Sequence, residues 1–144
     1  MKQALATAQA PAAIGPYSQG IAAGQTVYVS GQLPIDPATG AIPEGIAAQT
    51  AQSLKNIQAI LAEQGMTLAD VVKTTVFLAD MADFAAMNEV YSTFFKEPFP
   101  AILRPALPRT ERRAGGETAE RRTAGDRMHR REVTEHPIRE RDGA

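Results

Sequence analysis

Residues Ile46–Gln64 read IAAQTAQSLKNIQAILAEQ, and Val71–Leu78 follow as VVKTTVFL. The first stretch puts Ile46, Thr50, Leu54, Ile57 and Leu61 on one stripe at helical spacing, with Ala47 and Ile60 beside it. Gly65 comes just past the last apolar turn, where a left-handed C-terminal residue is expected. The second stretch is dense in β-branched residues and predicts a buried strand. A helix feeding a strand across a short Gly-containing link sets the chain among α and β mixtures.

Working outward, the pattern repeats. Downstream, Asp80 or Asp83 caps a second helix running to about Phe95. Its inner stripe is Phe84, Met87, Val90 or Tyr91, and Phe94; Pro98 and Pro100 stop it. Upstream, Thr26–Ser30 (TVYVS) predicts a strand ended by Gly31. Pro34–Gly40 (PIDPATG) predicts a turn, and Ala10–Gly20 (APAAIGPYSQG) a loop with Tyr17 as its one large side chain. Strand, helix, strand, helix implies an α+β layer with two helices on one face of a sheet.

The chain changes character after Ala101. All eleven arginines lie beyond it, and all four lysines and all eight aromatic residues lie before it or at lower numbers. The body, residues 1–101, has four lysines against eight acids, net −4; the remaining 43 residues carry eleven arginines against eight acids, net +3. The second part has few large aliphatics, interspersed Gly and Pro, and no sustained apolar period. It cannot bury enough apolar surface to offset an ordering cost of roughly 1–2 kcal/mol per residue, so residues 102–144 are expected to be a disordered, Arg-rich tail.

Composition excludes several functions. There is no cysteine, hence no disulfide or thiol chemistry. The two histidines, His129 and His136, stand with Glu132 and Glu135 in no common metal-binding spacing. The acidic body argues against a nucleic-acid surface, and the mixed charges of the tail read as a solvated polyampholyte. No long apolar run predicts a membrane span or signal peptide, and a cytoplasmic location is the expectation.

The body's motifs resemble those of the Rid/YjgF reactive-intermediate deaminase family. The matching segments are APAAIGPYSQG, VSGQLPIDPATG, AQSLKNIQAIL, KTTVFLADMADFAAMNEVYSTFF and PFPA, in register over residues 1–101. The resemblance implies a chorismate-mutase-like α+β fold, a homotrimer with sites between subunits, and no metal or organic cofactor. It implies hydrolysis of 2-imino or 2-enamino acids to 2-keto acids and ammonia. Tyr17 matches the tyrosine lining the cleft, Ser30 and Gly31 the strand end bordering it, and Asn88 the asparagine on the cleft wall.

Two parts of the family site have no match. After PFPA, members carry an arginine that grips the substrate carboxylate; here Ala101 is followed by Ile102. Members also carry a late glutamate in a final strand that positions water, and no segment after residue 101 offers one. The last two family strands are therefore expected to be missing or replaced. Arg104 is a candidate substitute clamp, but moving it into place would reverse strand faces and leave Pro105 inside the strand. A frameshift is the expected cause of the break: codons ATC-CTG-CGN would encode Ile102-Leu103-Arg104, and read one base later they would give Ser, Cys, then Val or Ala, the residues that commonly follow the arginine in the family. The expected function is imine deamination impaired by the lost groups. The alternative is a non-catalytic member that binds small ligands or RNA.

Overall fold

The computed structural model describes residues 1–103. The expectations for Arg104 and for a disordered tail fall outside those residues, beyond Leu103. The described chain forms β1 (Lys2–Leu5), β2 (Gly20–Ala23), β3 (Thr26–Val29), α1 (Ile46–Ala62), β4 (Lys73–Thr75), α2 (Phe84–Phe94) and β5 (Ala101–Leu103). The α+β expectation holds, but the strands divide into two groups. β1, β2 and β3 form an antiparallel sheet in that order, and β4 pairs in parallel with β5.

Helix α1 packs on β3 and against α2. Its stripe is as expected in Leu54 and Leu61, which are buried, and in Ile46 and Ile57, which lie against the core. The helix ends as Gly65 predicts. Gly65 takes φ +65° and donates to the Ala62 carbonyl (2.9 Å), while Met66 donates back to Leu61 (3.1 Å), so the last carbonyls are satisfied.

Helix α2 follows a single 3-10 turn, Met81–Asp83. Asp80 caps that turn by accepting from the Ala82 N–H at 2.9 Å; Asp83 makes no side-chain cap. Met87 and Tyr91 are buried, with Phe84 and Phe94 packed beside them. The Tyr91 hydroxyl bonds Thr74 of β4 at 2.9 Å, and its ring meets Phe95 at 4.4 Å between centroids.

Three expectations are corrected. Strands β1 and β2 were not foreseen. In β2 the buried positions are Gly20 and Ala22, too small to register as a strand, because a Cβ on Gly20 would stand 2.9 Å from Ile60 Cγ2. The strand expected over Val71–Leu78 is a ladder over Lys73–Thr75, opposite the last described residues Ala101–Leu103. Val71, Thr74 and Leu78 are nevertheless buried. The pairing also runs two residues past the compositional break, because Ile102 and Leu103 oppose Thr74 and Thr75. No helix among the described residues is long and apolar enough to cross a membrane.

Candidate functional site

Three of the sequence candidates meet where β3 ends. Ser30 donates its N–H to the Gln19 carbonyl (2.9 Å) and its Oγ–H to the Ser18 carbonyl (2.6 Å). Tyr17 is the next residue back. Its N–H bonds the Gly15 carbonyl at 2.8 Å, and its hydroxyl accepts from the Ile14 N–H at 3.3 Å. The ring is 52 % exposed, so it is a surface group and not a cap on this protomer's core. Gly31 is exposed beside it. The Ser30 carbonyl accepts from Gln32 Nε2 at 3.0 Å, which folds the chain back over the strand end.

Asn88 stands elsewhere, on α2. It lies one turn before Tyr91, so the two are neighbours on the helix surface. Tyr91 is bonded to Thr74, and Thr74 is the register partner of Ile102. Paired residues of parallel strands point to the same side, so Ile102 lies on the α2 side of the strand pair. Ile102, which stands where the resemblance expects the clamp arginine, is 38 % exposed, and its side chain has no hydrogen-bond donor for a carboxylate. Asn88 is half-buried, and its carboxamide has no hydrogen-bond partner among the described residues.

Tyr17, Ser30 and Gly31 thus gather at the end of β3, and Asn88 lies on α2. No group of His, Asp or Glu side chains suited to a metal occurs among the described residues. Burial pushes the Tyr91 hydroxyl pKa up, and its bond to Thr74 opposes part of that rise.

Sequence reasoning missed two side chains that bond the segments flanking the end of β3. Gln19 and Asn56 are both buried. Gln19 Nε2 donates to the carbonyls of Thr7, Ala10 and Pro11, and its Oε1 accepts from the Thr7 N–H. Asn56 Nδ2 donates to Leu33 and Ile35, and its Oδ1 accepts from Gln52. The available signal was a carboxamide beside the apolar stripe, in the middle of a helix that otherwise favours strong helix formers.

A family model described as Endoribonuclease L-PSP matches residues 7–107. The 2-iminobutanoate/2-iminopropanoate deaminase of Salmonella typhimurium is 51 % identical over 104 residues, covering 70 % of this chain and 81 % of that protein. The chain belongs to the Rid/YjgF family. Among solved structures, RidA from an Antarctic Psychrobacter is similar at a TM-score of 0.69 and 47 % identity, over 74 % of this chain and 89 % of that one. Escherichia coli TdcF with bound serine is similar at a TM-score of 0.67 and 34 % identity, over 94 % of each chain. These likenesses confirm the α+β fold implied by the body's motifs.

Proposed function

We propose that this chain is a hydrolytic deaminase of small 2-imino and 2-enamino acids, impaired by loss of the clamp arginine and of the water-positioning glutamate. The carrying observation is the β4–β5 register. It places residue 102 within the strand pair, opposite Thr74, and makes it isoleucine. Support for the activity comes from the relative named as a 2-iminobutanoate/2-iminopropanoate deaminase, and from a relative seen with a small 2-amino acid bound.

The reaction adds water across the C=N bond of an imino acid and expels ammonia, leaving a 2-keto acid. Tyr17 and the Ser30–Gly31 strand end form one wall of the site, and Asn88 the other. A guanidinium fork would bind the carboxylate bidentately and hold the carbon for attack. A carboxylate would orient the water. Loss of one such charge-assisted contact costs on the order of 2–4 kcal/mol of transition-state stabilisation, or ~30- to 1000-fold in rate.

The two walls belong to different protomers of a homotrimer. The open side of β4–β5 carries Phe77 and Leu103, both exposed, and supplies an apolar contact surface. We place the deaminase domain in residues 1–101 and read the sequence beyond as non-homologous and out of frame, although Ile102 and Leu103 still pair with β4 and the family model runs to residue 107.

The test is turnover of imines generated in situ from small 2-amino acids. A chain whose reading frame is restored after Ala101 is expected to form 2-keto acid at least ~100-fold faster than the present chain. Equal rates would show that the missing groups are dispensable or replaced, with Arg104 the first replacement to remove. One other reading is a non-catalytic member that binds small ligands or RNA, and the family description as an endoribonuclease makes RNA the ligand to try. That reading predicts RNA retention that weakens steeply with salt, and no keto acid from either chain.

A further inference from the structure

Three polar side chains are buried among the described residues: Gln19, Asn56 and Thr74. Two of them are carboxamides, and both bond main-chain groups of segments flanking the Ser30–Gly31 strand end. Upstream, Gln19 gathers Thr7, Ala10 and Pro11, while its own carbonyl accepts from Ser30. Downstream, Asn56 projects from α1 and holds the Leu33 and Ile35 carbonyls, both at 3.0 Å. Gln52, one turn earlier, donates to Asn56 Oδ1 at 2.9 Å and fixes which end of the amide faces the loop.

Burying an amide is costly unless it is fully bonded, and an apolar side chain would fill either place without that cost. Asn56 is 0 % exposed in the middle of a helix whose other buried residues are Leu54, Ile60 and Leu61. What the amide supplies, and leucine could not, is a pair of directed donors to one loop. That loop leaves Gly31 through Gln32, whose side chain turns back to the Ser30 carbonyl.

We infer that Gln19 and Asn56 are positioning residues: together they fix the two chain segments that flank the Ser30–Gly31 wall and so set its place relative to Tyr17. The inference rests on the proposed reading only in taking that wall as a ligand surface.

The test uses the full chain, with Asn56→Leu, Gln19→Met and, as a control, Ile57→Ala. Ile57 packs against the core beside Asn56 and bonds no part of the loop. Two measurements are made on each: amide exchange at Ser30 and Asp36, the hydrogen-bonded amides that bracket residues 30–35, and affinity for 2-oxobutanoate, the keto acid left by 2-iminobutanoate. In Asn56→Leu, exchange at these two amides should quicken and affinity weaken, each about tenfold, the scale of one or two net hydrogen bonds. Protection at Val71–Leu78 should hold. Gln19→Met should weaken affinity similarly and disturb the Tyr17 ring resonances. Ile57→Ala should lower global stability while leaving these two amides and affinity as they were.

The inference is overturned if Asn56→Leu and Gln19→Met leave both readouts unchanged, or if Ile57→Ala reproduces their effects. If the unmodified chain binds 2-oxobutanoate too weakly to measure, as loss of the carboxylate contact allows, the affinity arm is run in the Ile102→Arg background; absence of binding there as well counts against the proposed function, and the exchange arm decides the positioning role in either case.

Discussion

Tyr91 joins β4 to α2 through one bond, its hydroxyl to Thr74, within the core. Removing the hydroxyl strands the Thr74 group in an apolar setting. Tyr91→Phe should therefore lower stability by about 1–2 kcal/mol, read from denaturant midpoints at unchanged slope. Its pKa also predicts a pH effect. Burial raises the folded-state pKa above that of the unfolded chain, so the neutral phenol's contribution is complete below the unfolded pKa of about 10 and is lost as pH rises through the folded value. Stability should fall more steeply above about pH 10 in the unmodified chain than in Tyr91→Phe. Parallel curves for the two would show that the site is solvated. Tyr91 was legible only as an alternative to Val90 on the inner stripe of the second helix. Its tie to Thr74 was not, because a contact between residues 17 apart depends on how helix and strand stack. Gln19 and Asn56 were hidden for the same reason, since each serves backbone carbonyls that no sequence pattern marks.

The elements were legible where local chemistry agreed with the fold. Helix α1 had its stripe and its Gly65 stop, and α2 had Asp80 before it and prolines after it. Strand β2 was illegible because its inner side is shaped by α1 and not by strand propensity. A methyl at Gly20 would press on Ile60 Cγ2 at 2.9 Å and on the Tyr28 carbonyl at 3.2 Å. Gly20→Ala should cost about 1–3 kcal/mol through overpacking, and Gly20→Ala with Ile60→Val should recover part of that loss. Gly65→Ala is a contrasting case. Nothing lies within 4 Å of its would-be Cβ, so the cost is backbone strain alone at φ +65°, about 1 kcal/mol. Thermal unfolding of the three variants checks the contrast; a Gly20→Ala as mild as Gly65→Ala would mean that α1 sits farther from β2. The two β4–β5 residues after Ala101 were missed because composition changes there while hydrogen bonding does not: Val76 still donates to Leu103 at 3.1 Å.

At the scale of the whole molecule, the proposed site takes Tyr17, Ser30 and Gly31 from the end of β3 and Asn88 from α2. A closed ring of three copies would bring unlike surfaces together, as a rotationally repeated contact does. Sedimentation at three times the protomer mass is expected, with Phe77→Glu shifting it toward one, because a charge on the open side of β4–β5 would have to be desolvated in the contact. A purely monomeric unmodified chain would leave the site divided. The sequence could show Tyr17, Ser30 and Asn88 in motifs, but not how a protomer arranges them, since that depends on how α2 packs beside β4. The claim on which the account turns is narrower: position 102 is where the substrate carboxylate is gripped, and isoleucine cannot grip it. Calorimetric titration of 2-oxobutanoate into the unmodified chain and into Ile102→Arg tests this most directly. The arginine should tighten binding by at least about 30-fold, the equivalent of roughly 2 kcal/mol for a charge-assisted contact. Equal affinities, with both proteins folded and equally assembled, would contradict it.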